Sequence, residues 1–235
     1  MTQSLEYQPP RLDHPIIGWT PPWRAVVFVL SAMSIWCLLV DFYSIVSMRA
    51  FTLYVFVPAC IVLIALAASD GFLGTKKLLR NVVIGASAGF VAAVAYDVFR
   101  LPFVYANAWH IASVVPPMPL FKVFPAFGQM ILGHPGAQSL TSADHVVGWT
   151  YHFSNGITFG IMYMAMVGDP TKRSWWWGVV MAVAIEIALL CSPYTQFFGI
   201  PLNAQFVAVT LTAHVIFGAV MGLCARRLAG SPLAG

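Results

Sequence analysis

Four apolar segments of this chain each carry one ionisable side chain at the end of a stripe of small residues. The first reads Gly85, Gly89, Ala93, Asp97, and the second His152, Gly156, Gly160. The third reads Gly178, Ala182, Glu186, and the fourth His214, Gly218, Gly222. Residues four apart share one face of a helix. Within a membrane, faces of small residues let helices approach closely. Charge is expensive in hydrocarbon, so an ionisable residue at that depth marks a functional site. Two carboxylates and two imidazoles at the ends of four packing stripes are expected to meet at one site. Such a donor set suits a transition metal such as iron, zinc, manganese or copper. His152, His214, Glu186 and Asp97 are the candidate metal ligands, with Asp97 also a candidate general base.

The elements that position these residues follow from composition. The chain has 235 residues, 60% hydrophobic and only 9% charged, where soluble domains carry about 25% charged residues. The expected class is therefore all-α and integral to a membrane. The net charge of +4 does not point to nucleic acid, because the basic residues sit at segment ends, where membrane topology explains them. The four cysteines, Cys37, Cys60, Cys191 and Cys224, form no ligand-like spacing and read as small hydrophobes.

Six transmembrane helices are expected, over Arg24–Val46, Phe51–Ala68, Leu79–Val104, Asp144–Val167, Trp175–Pro193 and Gln205–Ala225. Each is close to the length that crosses a ~30 Å hydrocarbon core at 1.5 Å per residue. Residues 1–23, polar and proline-rich, read as an N-terminal interfacial segment, and 24–230 as a single transmembrane domain. Lys76, Lys77 and Arg80 follow the second span, Lys172 and Arg173 the fourth, and Arg226 and Arg227 the sixth. The positive-inside rule then places these connections and both termini in the cytoplasm, with the chain as a multi-pass protein of the cell inner membrane. Spans three to six would form an antiparallel bundle. The long connection 105–143 holds Pro116, Pro117 and Pro119 and then an apolar run, so it reads as a re-entrant or interfacial cap on the outer face.

At 1.5 Å per residue, Glu186 and His214 lie roughly 18–20 Å from the cytoplasmic ends of their helices, and Asp97 and His152 about 25 Å. The small-residue stripes lie below them, so the helices should touch closely below and diverge around a pocket above. Asp41, His145, Tyr151 and Asn155 are possible further members of the site. Thr150-Tyr151-His152 with its two glycines also resembles Thr212-Ala213-His214 with its own, a hint of internal repetition.

The function expected is a transition-metal-binding membrane oxidoreductase, or its metal-binding subunit, acting on a small or lipid-soluble substrate. Two alternatives share the same residues. One is an ion, proton or metal transporter using them as a station within the membrane. The other is a structural, haem-ligating or pigment-ligating subunit of a larger membrane complex, in which His152 and His214 would clamp haem between them. Membrane lipids, partner subunits of such a complex, or further copies in a homo-oligomer are the expected partners.

Overall fold

A computed structural model describes residues 17–231, and those residues form helices and connections with no strand. Helix α1 spans Pro21–Phe42. Helices α2 (Met48–Phe51) and α3 (Val57–Leu73) run on as one rod through a π-helical turn at Thr52–Phe56. Helix α4 spans Lys77–Val104, α5 Val123–Leu132 and α6 Ser142–Val167. Helix α7 spans Trp176–Leu190, α8 Tyr194–Phe197 and α9 Ala204–Ala229.

Four helices are long and apolar enough to cross a membrane: Pro21–Phe42, Met48–Leu73, Lys77–Val104 and Ala204–Ala229. The 26-residue α6, with Asp144, His145, His152 and Asn155 along it, and the 15-residue α7 fall outside that set. Most of the expected interfacial segment 1–23 lies outside the described residues. Within it, α1 already begins at Pro21 rather than Arg24, because proline at the first helical position has its φ preset and needs no N–H partner. The rod after α1 starts earlier and ends later than Phe51–Ala68. Ser47 caps its start by accepting from the Ala50 N–H, and its end runs on through a buried aspartate, Asp70. That carboxylate accepts N–H groups from Thr75, Leu78 and Leu79 at 2.8–3.1 Å, holding the first turn of α4 against the end of α3. Two further starts are capped: Thr141 and Asp144 form a capping box on α6, and Asn203 accepts from the Phe206 N–H on α9.

The small-residue stripes become two antiparallel seams. Gly85 and Gly89 of α4 lie against Gly160 and Gly156 of α6, backbone on backbone, with no room for a Cβ on any of the four. Gly178 of α7 meets Gly218 of α9 in the same way, and Gly222 meets the backbone of Trp175. Helix α4 also packs along α9, where Tyr96 touches His214 and Phe217, and Arg80 donates to the Ala229 carbonyl at 2.7 Å. Helix α1 lies along the other side of α6, tied by a 2.7 Å bond between Ser34 and Thr158 and by Arg24 to the Ala165 and Met166 carbonyls. This antiparallel packing gathers Arg80, Arg226 and Arg227 at one end of the bundle and the ionisable residues toward the other. The connection 105–143 is mostly exposed at its two ends and folds into a helix between them. Its helix α5 is largely buried, and Gly128 and Gly148 bring the backbones of α5 and α6 into contact.

Candidate functional site

The four ionisable residues come together as two pairs, one above each seam. On the α4/α6 seam, His152 Nε2 lies 2.9 Å from Asp97 Oδ2. On the α7/α9 seam, His214 Nδ1 lies 3.5 Å from Glu186 Oε2. Both acidic residues are buried. Tyr96 joins the pairs, its ring 6.1 Å from the His152 ring and 5.0 Å from the His214 ring. The four side chains expected at one shared site stand as two pairs around a tyrosine. Among the described residues, no group of three or more His, Cys, Asp or Glu side chains is placed to hold a metal ion.

The surroundings of the pairs differ. Arg100, three residues along α4, brings Nη1 to 3.7 Å from Asp97 Oδ1. Its guanidinium also donates to the Leu120 carbonyl and lies over the rings of Tyr96, Phe121 and Phe124 at 4.7–5.3 Å. Phe124 of α5 stacks on the His152 ring at 4.1 Å, and Trp149 meets that ring edge-on at 5.7 Å. The first pair is therefore held by a cation, an aromatic stack and a hydrogen bond of ordinary length. Among the described residues, no lysine or arginine pairs with Glu186. His214 Nδ1 is also 2.9 Å from the Thr210 carbonyl. A carbonyl only accepts, so that nitrogen carries the proton and donates it to Thr210, with Glu186 in ion-pair range.

Both pairs border one cavity of about 370 Å³, with Arg100, His152, Glu186 and His214 in its wall. Volumes of about 300–1,000 Å³ are usual for small-molecule sites. Its roof comes from the two irregular connections, residues 117–122 and 198–203, with the first residues of α5 and α9, and the rest of its wall is mostly aromatic and aliphatic. Pro201 and Pro119 help keep those connections from continuing as helix. The Asn155 side chain lines the same cavity, with its buried Oδ1 free of hydrogen-bond partners.

The other expected members lie elsewhere. Asp41 accepts from the Met48 N–H and shapes the turn between α1 and α2. Tyr151 donates to the Ser34 carbonyl at 2.6 Å, which ties α6 to α1. His145 is exposed. Outside that set, His134 pairs with the capping aspartate Asp144 at 2.8 Å. Tyr96, Tyr194 and Phe124 carried no signal in the sequence, where aromatic residues on apolar helices are commonplace, yet all three line the cavity.

Residues 79–234 match DUF6789, a family of unknown function. The chain belongs to that family. The match covers almost all of α4 and runs through α9, so the DUF6789 region contains both seams, both pairs and Tyr96, and leaves out α1 to α3. No curated protein and no solved structure matches the chain.

Proposed function

We propose that this DUF6789 protein is a six-span protein of the cell inner membrane that binds a small, lipid-soluble molecule and exchanges protons with it. In this reading both termini are cytoplasmic, α6 and α7 complete the six crossings, and the cavity lies in the outward half of the bundle. The observation that carries it is the joining of two buried His–carboxylate pairs to one apolar cavity of small-molecule size. An imidazole paired with a carboxylate accepts or delivers a proton near neutral pH and has its orientation fixed by the partner. The apolar roof keeps water from competing for those groups.

Oxidoreductase chemistry with a transition metal is the second reading. Each imidazole lines the cavity and, among the described residues, has a hydrogen-bond partner at one ring nitrogen only, which leaves Nδ1 of His152 and Nε2 of His214. Those atoms, with a carboxylate oxygen, would be the ligands.

Extraction of the purified protein into organic solvent, followed by mass spectrometry, tests the first reading, with metal analysis on the same sample. A lipid-soluble species near one per chain is expected, reduced several-fold by Leu189→Trp, which narrows the cavity. Stoichiometric iron, zinc, manganese or copper that disappears with His152→Ala and His214→Ala would instead establish the second reading. Absence of both species, with no uptake of added hydrophobic probes, would overturn the two together.

A further inference from the structure

The charges already present in the cavity wall narrow what it can hold. Arg100 is a fixed cation and faces Asp97 at 3.7 Å. Asp97 also faces His152, and Glu186 faces His214. Asp97 therefore has its own cation and imidazole, Glu186 has an imidazole 3.5 Å away, and the guanidinium has its own carboxylate and its aromatic faces. An anionic head would add a charge beside Glu186 that nothing balances. A cationic head could pair with Glu186 but would share the cavity wall with the fixed charge of Arg100. Either sets like charges near each other away from water, which is costly. A neutral head adds no such cost.

The polar atoms with spare hydrogen-bonding capacity fall into two sets, one with each pair, and both imidazoles pack on the same Tyr96 ring. Between and around them the wall is aromatic, with Phe159, Phe198, Phe206 and Phe217. Flat rings pack well against such walls in offset or edge-to-face contact.

Building on the proposal that the cavity binds a lipid-soluble molecule, we infer that its ligand is a neutral aromatic ring bearing two oxygen groups, of the quinone and hydroquinone class, with one oxygen hydrogen-bonded at each His–carboxylate pair. The chemistry of the site matches both forms of that class. A protonated imidazole or the Asn155 amide donates to a quinone carbonyl, while Glu186 or an unprotonated imidazole nitrogen accepts from a hydroquinone hydroxyl.

The test is calorimetric titration of the full chain in lipid nanodiscs with four probes of equal tail length: a decyl-substituted benzoquinone, its hydroquinone, decanoate and decyltrimethylammonium. The quinone or hydroquinone is expected to bind at one per chain and more tightly than either charged probe. His152→Gln and His214→Gln should each weaken it by about 3- to 10-fold, the worth of one hydrogen bond, and the double variant by about the product. Thermal unfolding of each variant separates lost affinity from lost fold. For a variant that does not fold, the wild-type ranking of the four probes still decides the class. Tighter binding of decanoate or decyltrimethylammonium overturns the ligand class and leaves the cavity's role standing. Weakening by only one of the two imidazole variants overturns the two-ended geometry. Binding of none of the four overturns the class and the proposed function together.

Discussion

The two seams carry the same motif and are furnished differently. In each, small residues on two antiparallel helices let the backbones touch, and a carboxylate and an imidazole sit where the helices part. The α4/α6 pair is boxed in by Arg100, Phe124 and Trp149. The α7/α9 pair has a longer separation, a backbone carbonyl in place of a cation, and a shorter helix on one side. The difference shows how one motif serves two ends. Where a cation and stacked rings enclose it, the pair fixes geometry, although Asp97 Oδ1 and Arg100 Nε are buried with no hydrogen-bond partner among the described residues. Where the carboxylate faces an imidazole at 3.5 Å, as Glu186 does, the pair can respond to what enters the cavity.

The largest effect expected on that contrast comes from Arg100→Ala. It leaves Asp97 buried with only His152 to face it, and should cost about 3–5 kcal/mol of stability, seen as a large drop in the thermal midpoint of detergent-solubilised protein. Stability close to wild type would show that the Arg100 contacts do not hold the first pair. Gly89→Leu comes next, at about 1–3 kcal/mol, because the new side chain would have to enter the backbone of α6. The corresponding change in the shorter seam, Gly178→Leu, should cost less in the same unfolding assay, and the reverse order would break the comparison. Phe124→Leu removes the ring stacked on His152 and should cost about 0.5–1.5 kcal/mol beyond its lost area, read against Phe90→Leu, whose ring is half exposed. Glu186→Gln should be the mildest for stability, under about 1 kcal/mol, because Glu186 has only His214 as a partner and the amide can still hydrogen-bond. Its effect should fall on ligand affinity instead, and a stability loss matching that of Arg100→Ala would show that both pairs are structural.

The helical membrane class was legible because apolar residues so outnumber charged ones. The seams were legible because glycine and alanine at four-residue spacing are a strong sign of close helix contact. Which acid would meet which histidine was not, since Asp97 and Glu186 have the same spacing to their stripes and only the adjacency of α4 with α6, and of α7 with α9, decides it. The π-helical turn at Thr52–Phe56 left one trace, Pro58, which has no N–H to offer the Tyr54 carbonyl four residues back. Helix α7 ends at Leu190, short of the expected Pro193; the backbone turns off before the proline, whose ring disfavours helical geometry in the residue preceding it. Tyr96 was hidden altogether. It matters through two rings that approach it from α6 and α9, and no local pattern announces that meeting.

The central claim is that Glu186 and His214 form the responsive pair of a shared cavity. Infrared difference spectroscopy of the protein in nanodiscs, with and without the decyl benzoquinone, tests it most directly. A ligand-induced change in a carboxyl band that vanishes in Glu186→Gln and persists in Asp97→Asn is the predicted result. A band that persists in Glu186→Gln and vanishes in Asp97→Asn would contradict the account.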